Sequence, residues 1–160
     1  MDFRTNPLNI FAVHDVCGFA DGAMATKATV HFNLLAGTVL KLGTERHWGP
    51  LAPQVDALDV TGCFALTELG WGNNAVEMGT TASYDAGTQT WDLHTPGTLA
   101  SKYWITNGAV HAAWAVVFAR LLVRGVDEGV HGLLVRIRNP DGSPCAGVTI
   151  HDMGKHGGGG

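Results

Sequence analysis

The spacing of apolar residues changes near residue 59, and this change constrains the fold more than any other feature of the chain. Before it, apolar side chains recur at the spacing of one helical face. After it, short runs rich in valine, threonine and aromatic residues alternate with turn residues, which indicates strands. Helices followed by strands predict an α+β chain, either one domain or two part-domains that meet near residue 59.

The helical half contains a long apolar segment at residues 23–42. It is apolar on nearly all sides, so we predict a helix that packs against several neighbours. Gly43 would end this helix, because glycine adopts the left-handed C-terminal conformation at little cost. A further helix would start at residues 44–47, and Pro50 and Pro53 predict that it is short.

The strand half contains a hairpin and a long buried strand. Residues 80–84 and 90–94 would form the hairpin, with Gly87 in its loop where a positive φ angle is needed. Residues 113–123 are rich in valine, tryptophan and phenylalanine, which predicts a long buried strand.

Two shorter strands would follow. Residues 130–138 alternate in polarity, which would place Ile137 inward and both Arg136 and Arg138 outward. Residues 147–151 would form a last short strand. Together these segments would complete the sheet.

Composition narrows the classes of partner. The chain has 160 residues, 46% of them apolar, as expected of a globular protein of one domain or pieces of two. Its net charge of −4 provides no broad basic surface for nucleic acid. No stretch approaches the roughly 20 uninterrupted apolar residues of a membrane helix. Cys17, Cys63 and Cys145 are widely spaced and odd in number, so we expect free thiols in a reducing compartment.

The last residues of the sequence, Gly157–Gly160, are all glycine. Natural domain boundaries usually carry mixed polar residues, and a bare glycine run neither caps a helix nor closes a core. We therefore expect the chain to be a fragment of a longer protein.

The stretch 62–74 carries the most specific chemistry. An apolar run leads into Thr67 and Glu68, and glycines follow at positions 70 and 72. This pattern is typical of a buried strand that presents a hydroxyl and bare backbone amides to a ligand. The stretch resembles the flavin-contacting motif of the acyl-CoA dehydrogenase and oxidase superfamily, Thr-Glu-x-x-x-Gly-Ser, with Asn73 in place of the serine.

Other segments extend this resemblance. Residues 102–108 are similar to the second flavin-facing motif of the superfamily, which contains Trp-Ile-Thr. Residues 30–34 and 42–47 are similar to the last helices of the N-terminal domain of acyl-CoA oxidases, and residues 11–14 fit just ahead of them. The similarity covers about residues 8–155, with the segments in matching order and separation.

The resemblance implies a fold and a domain division. Residues 1–58 would be the end of the N-terminal helical domain. Residues 59–160 would be a truncated middle domain, an antiparallel β-barrel-like structure that is incomplete relative to the family. Residues 62–69 and 79–85 favour the oxidases, whereas residues 104–108 are closer to the dehydrogenases. An acyl-CoA oxidase is the favoured identification, with a dehydrogenase, or a non-catalytic module that lost the catalytic half, as alternatives.

The resemblance also implies FAD as cofactor and a role for each matching residue. Thr67 would hydrogen-bond the pyrimidine edge of the flavin, and Trp104 would lie against the isoalloxazine ring. Thr106 would sit near flavin N5. Gly72 and Asn73 would belong to the same cofactor site, where the asparagine is bulkier than the serine that it replaces.

In the family reaction a base removes a proton from the acyl α-carbon while hydride passes from the β-carbon to flavin N5. Oxygen then reoxidises the flavin and yields hydrogen peroxide. The family's base is a carboxylate of a later helical domain, so we assign no catalytic residue here and interpret Glu68 as structural. The chain by itself would be inactive and poorly soluble, because residues 23–42 would expose apolar side chains.

The remaining expectations concern partners. The substrate would be a fatty acyl-CoA, and the full-length protein would be a peroxisomal homodimer. The eight histidines show no helical His-Glu-x-x-His pattern and no accompanying cysteine pair, so we expect no metal site.

Overall fold

The computed structural model describes residues 5–154, in which helices precede strands. The expectation based on Gly157–Gly160 lies outside these residues. Helix α1 is followed by one unbroken helical run, which contains α2, a π-helical segment and α3, and then by α4. Their bounds are Leu8–Ala20 for α1, Gly22–Thr29 for α2, Val30–Ala36 for the π-helical segment, Gly37–Leu42 for α3 and Glu45–Asp56 for α4.

The helical run confirms the prediction over residues 23–42 and shows how it packs. Its middle is buried, with Leu35 fully inaccessible and Val39 only 6% exposed. Gly43 ends the run, but in an extended conformation with φ −83° rather than the predicted left-handed one. A Cβ there would lie 2.4 Å from the carbonyl oxygen of Val39, so close backbone approach is what requires glycine.

Helix α4 is longer than its two prolines predict. It runs for 12 residues with Pro50 and Pro53 inside it. The side chain of Thr44 and that of His47 form a capping box at its start, and Leu51 and Val55 are buried. Capping and burial offset the backbone hydrogen bonds that proline cannot make, so the prediction of a short helix was wrong.

Five strands form the sheet around one long central strand, β4. Strands β1 and β2 lie end to end along one edge of β4, and β5 lies along the other edge, because a strand has only two edges for pairing. Strand β3 pairs with β2. Their bounds are Thr61–Ala65 for β1, Thr81–Asp85 for β2, Thr90–His94 for β3, Ala112–Val123 for β4 and Val126–Arg136 for β5.

The sheet of the described residues is mixed and open, which corrects the antiparallel, barrel-like expectation. The two hairpins, β2–β3 and β4–β5, are antiparallel. The pairings β1–β4 and β2–β4 are parallel. A tight turn forces neighbouring strands to run antiparallel, whereas a long connection leaves the direction to packing. The α+β order of helices and then strands is confirmed.

The core occupies both faces of β4, and the long buried strand predicted for residues 113–123 is confirmed. Ala115 and Val117 belong to a cluster on one face of the strand. Val116, between them in sequence, belongs to a second cluster with Leu35 and Val55 of the helices. Because side chains alternate along a strand, one continuous apolar run supplies both clusters.

Two details of the turns and edges differ from prediction. The hairpin over residues 80–94 forms as expected, but Gln89, with φ 56°, takes the positive angle and Gly87 does not. The amide of Gly87 instead donates to the carboxylate of Asp85 at 2.8 Å. Residues 147–151 form no strand.

Arg138 points inward, contrary to prediction, and is only 8% exposed. Its guanidinium donates to the carbonyl oxygens of Gly108, Ala109, Ala112 and Gly142 at 2.8–3.3 Å. Three of these carbonyls, those of Gly108, Ala109 and Gly142, belong to irregular backbone, and that of Ala112 belongs to the first residue of β4. Buried carbonyls of irregular backbone need donors. The alternation expected for residues 130–138 therefore ends at the end of β5.

Two global features of residues 5–154 bear on the expectations from composition. None of the helices in this range combines the length and the apolar character needed to cross a membrane. The three cysteines are free, as predicted. Burial raises the pKa of the Cys63 thiol to about 12, although the charge of Arg138 lowers it in part, so this thiol is a packing group rather than a nucleophile.

Candidate functional site

Two segments that are far apart in sequence run side by side at the end of β1. The amide of Tyr103 donates to the carbonyl of Thr67 at 2.9 Å, and the hydroxyl of Thr67 donates to the carbonyl of Tyr103 at 2.6 Å. The amide of Leu69 donates to the carbonyl of Ser101 at 3.0 Å. These bonds bring together the two segments singled out in the sequence, residues 62–74 and 102–108.

The backbone of the second segment is strained. Trp104 has φ 63° and Asn107 has φ 70°. A positive φ is a genuine outlier for a bulky residue such as tryptophan, and strain of this kind concentrates at functional sites. The side-chain amide of Asn107 donates to the carbonyls of Lys27 and Gly62 at 3.2 and 3.3 Å, which ties the turn to α2 and β1. The strained geometry holds the Trp104 side chain outward, 63% exposed.

A pocket of about 400 Å³ opens beside this turn. Trp104 and Thr106 line it, together with Lys27, Lys102 and His111. The ammonium of Lys27 lies 2.9 Å from Nδ1 of His111, so α2 and the 102–111 loop meet at the rim. An exposed indole, a hydroxyl and the ammonium of Lys27 make this pocket suited to a flat aromatic ligand with polar edges.

Glu68 is the buried charge beneath the two segments, with a residue exposure of 2%. Its carboxylate accepts from the amides of Gly79 and Thr80 at 2.7 and 3.1 Å, from the hydroxyl of Thr80 at 2.5 Å and from the ammonium of Lys102 at 2.9 Å. Burial would raise the pKa of this carboxyl, but these hydrogen bonds hold it below its ordinary value of 4.5. A carboxylate so fully engaged is not free to abstract a proton, which agrees with the structural role expected for Glu68.

Comparison with known proteins extends this geometry. No family model matches the chain. The peroxisomal acyl-coenzyme A oxidase 3 of Arabidopsis thaliana is 39% identical to it over 147 residues, which are 92% of this chain and 22% of that protein. The crystal structure of acyl-CoA oxidase 1 from Yarrowia lipolytica superposes with a TM-score of 0.88 at 34% identity, over 95% of this chain and 23% of that one. The chain belongs to the acyl-CoA oxidase family.

Another structure of the family adds information on ligands. The acyl-CoA oxidase 2 of Caenorhabditis elegans, bound with FAD, ascaroside-CoA and ATP, matches at 30% identity with a TM-score of 0.78. It covers 81% of this chain, which in turn covers 20% of it. The chain thus spans about a fifth of the length of the acyl-CoA oxidases that it matches. The predicted family is confirmed.

The structure brings together three of the five residues that the acyl-CoA oxidase resemblance singled out. Trp104 and Thr106 line the pocket, and Thr67 is bonded to the residue before Trp104. Gly72 and Asn73 lie in an exposed loop and are not among the lining residues. Gly72 has φ 54° and its amide donates to the carbonyl of Glu68 at 2.8 Å, so it shapes the turn after the motif.

Sequence reasoning missed Lys102, the ion-pair partner of Glu68. A signal was available, since a glutamate in an apolar strand requires donors and a lysine opens the second motif. What the sequence lacked was the register that places these two residues opposite each other, which the structure supplies.

Five histidines of residues 5–154 have hydrogen-bond partners of their own, namely His14, His31, His47, His111 and His131. No group of three or more histidine, cysteine or acidic side chains in this range is placed to hold a metal ion. Nε2 of His31 lies 3.1 Å from the carbonyl of Val55, and its Nδ1 accepts from the amide of Gly62 at 3.2 Å. His31 therefore bridges α4 and β1 as a neutral core histidine, because Nδ1 must be unprotonated to accept.

Proposed function

We propose that this chain forms the flavin-facing wall of an FAD-dependent acyl-CoA oxidase. The observation that carries the proposal is the exposed indole of Trp104, which a strained, positive-φ backbone holds at the mouth of the pocket beside Thr106. Strain without a function would be selected against, because each such residue costs on the order of 1–3 kcal/mol. The FAD in the C. elegans relative supports the choice of ligand.

The residues fit the flavin chemically. The exposed face of Trp104 offers a large apolar surface to an aromatic ring. The Thr67 hydroxyl donates to the carbonyl of Tyr103, so it faces a ligand as a hydrogen-bond acceptor. We infer that Thr67 accepts from the ring N–H of the pyrimidine edge and that Thr106 lies near N5. Gly72 and Asn73 would serve the site by shaping the loop after Thr67.

The work of the described residues is binding and orientation. When bound, FAD supplies the acceptor for the hydride that leaves the β-carbon, and oxygen then reoxidises it with release of hydrogen peroxide. Trp104 would cover the ring and exclude water from one side of it, while Thr67 would fix its rotation. The proton of the α-carbon would go to a carboxylate outside this segment, since Glu68 is held by Lys102 and Thr80.

We infer the substrate and the location from the names of the relatives, and we propose the assembly. We infer a fatty acyl-CoA substrate, because the relatives are named acyl-CoA oxidases and one of them is bound with ascaroside-CoA. The name of the Arabidopsis relative supports a peroxisomal location and thus a role in fatty acid β-oxidation. We further propose that residues 1–58 and 59–160 belong to two domains and that the whole protein is a homodimer.

The test uses protein made from the longest open reading frame that contains these residues. After desalting, we expect a yellow protein that releases FAD on denaturation and forms hydrogen peroxide from oxygen and a fatty acyl-CoA. A colourless protein with no released flavin would overturn the proposal and favour a non-catalytic module. A yellow protein that reduces an electron-transfer partner but not oxygen would instead identify a dehydrogenase.

A further inference from the structure

A buried ion pair joins the two segments of the proposed flavin site, residues 62–74 and 102–108. The ammonium of Lys102 is 2.9 Å from the carboxylate of Glu68, and the two side chains are 13% and 1% exposed. The same ammonium donates to the carbonyl of Leu66 at 3.1 Å. Desolvating two charges is costly, so a buried ion pair seldom adds net stability to the folded protein. A pair of this kind is better explained by the arrangement of the chain that it specifies.

The ion pair sets the register between the two segments of the proposed flavin site, residues 62–74 and 102–108. Glu68 and Lys102 are bridge partners in an antiparallel pairing. Thr67 immediately precedes Glu68, Tyr103 immediately follows Lys102, and these two flanking residues are hydrogen-bonded to each other. A slip of one residue would turn every side chain of one segment to the opposite face. It would also leave the Glu68 carboxylate buried without its counter-charge, so the ion pair excludes that slip.

Glu68 also anchors this pairing to a third segment. Its carboxylate accepts from the amides of Gly79 and Thr80, and the Thr80 hydroxyl donates both to that carboxylate and to the carbonyl of Ala100. A Cβ on Gly79 would lie 2.9 Å from the Ala100 side chain, so the backbones approach closely here. One carboxylate thus holds segments 66–70, 79–80 and 100–103 together.

We propose that Glu68 and Lys102 are the positioning residues of the proposed flavin site. Their ion pair fixes the 102–106 segment against residues 67–69, which follow β1, so that Trp104 and Thr106 face the same ligand as Thr67. Neither side chain needs to touch the reacting atoms to do this. The proposal rests on the proposed function, because it assigns a task to two residues of that same site.

The test compares five variants with the wild type in protein from the longest reading frame, with FAD itself as the probe. Lys102→Met and Glu68→Gln each remove one partner, and the double variant removes both. Asp127→Asn is the matched control, because Asp127 of β5 forms an exposed ion pair with Arg120 of β4, outside the site. Leu51→Ala is the stability control, since Leu51 is buried in the helical core and lies outside the pocket beside Trp104.

Each single variant of the ion pair should raise the dissociation constant of FAD by about tenfold and shift the visible absorption bands of the bound flavin. The double variant should lose little more affinity for FAD than either single variant does, since both residues act through one contact. Amide exchange at Tyr103 and Leu69 should accelerate in Lys102→Met, because those amides form the register bonds. Asp127→Asn should change none of these, and Leu51→Ala should lower the melting temperature alone.

The outcomes separate the two proposals. Wild-type protein that binds no FAD overturns the proposed function and this inference together. Wild-type protein that binds FAD, alongside ion-pair variants with unchanged affinity, spectrum and amide exchange, overturns the inference alone. A loss of affinity in Leu51→Ala as large as that in Lys102→Met also overturns it, because general stability would then explain the effect.

Discussion

Thr67 and Tyr103 exchange two hydrogen bonds, one from the Tyr103 amide at 2.9 Å and one from the Thr67 hydroxyl at 2.6 Å. The hydroxyl bond spans 36 positions of the sequence. Because the threonine uses its only hydrogen in this bond, the same hydroxyl can meet a ligand only as an acceptor. The pair therefore joins the two segments that we propose to face the flavin, and it defines the polarity of the proposed site.

Replacing Thr67 with valine keeps the shape of the side chain and removes its hydroxyl. We expect FAD to bind about fivefold more weakly, which corresponds to about 1 kcal/mol for one hydrogen bond. Thr67→Ser retains the hydroxyl and should bind FAD nearly as the wild type does. Fluorescence titration with FAD measures both, and equal affinities for the valine and serine variants would contradict the role given to the hydroxyl.

Gly62→Ala should destabilise the protein by about 2 kcal/mol through overpacking. A Cβ on Gly62 would lie 2.2 Å from a methyl carbon of Leu35, which is fully buried in the π-helical segment. Urea denaturation measures the free energy of unfolding. Adding Leu35→Ala to Gly62→Ala should cost less than the sum of the two single changes, and strict additivity would show that the two side chains do not collide.

Arg138→Met should cost about 3 kcal/mol or more in the free energy of unfolding. It removes the charged donor that serves the carbonyls of Gly108, Ala109, Ala112 and Gly142. Arg138→Lys keeps the charge but loses the planar fork of donors. Its free energy of unfolding should therefore lie between those of the wild type and Arg138→Met. A wild-type unfolding curve for Arg138→Met would show that the buried guanidinium is dispensable.

Glu68 should make stability depend on pH in acid. Its carboxyl pKa in the folded protein lies below the ordinary value of 4.5, so its stabilising contribution is fully present above that pH. The contribution is lost as the pH falls through the folded value. Melting temperatures from pH 7 to pH 3 should therefore fall further for the wild type than for Glu68→Gln.

The comparison in acid isolates Glu68, because other carboxyls are common to both proteins. Hydrogen bonds also lower the pKa of the exposed Asp85, Asp127 and Asp141. Their effect cancels in the difference between the wild type and Glu68→Gln. A constant difference across the whole range would contradict the lowered pKa of Glu68.

Helix α1 should drive association of the 160-residue chain when it is produced alone. It contains no buried residue, and the exposed fractions of Leu8, Phe11, Val16 and Phe19 are 70%, 66%, 71% and 97%. Large exposed apolar patches promote association. Residues 23–42 also expose Met24, Leu34 and Leu42, at 46%, 39% and 74%, as the sequence suggested, but the exposed apolar side chains are denser on α1.

The double variant Phe11→Ser/Phe19→Ser should shift the chain toward the monomer in analytical ultracentrifugation. The single change Trp91→Ser serves as its control, because Trp91 is a 45%-exposed aromatic residue on β3. An equal shift in the control would mean that α1 is not the associating surface.

We expect no acyl-CoA oxidation by the isolated chain, since none of its described carboxylates is assigned as the base.

The sequence by itself determined the local elements. Helical spacing before residue 59, the turn residues inside the hairpin at 80–94 and the apolar run at 113–123 each report on a few neighbouring positions, and all of these elements formed. The family could also be identified from the sequence, because the segments that contain Thr67 and Trp104 have the residue types of the family's two motifs at a matching separation. Local preference and short motifs need no knowledge of distant partners.

Only the tertiary structure decided what distant segments do to one another. Periodicity shows which face of a strand is apolar, but not the direction of its neighbour, so the parallel pairing of β1 and β2 with β4 was not predictable. Arg138 faces inward because folding buries carbonyls that need a donor. Lys102 meets Glu68 only once the register is set. Pairings of this kind depend on the whole arrangement of the chain, because the cost of burying a polar group is settled by partners that lie far away in sequence.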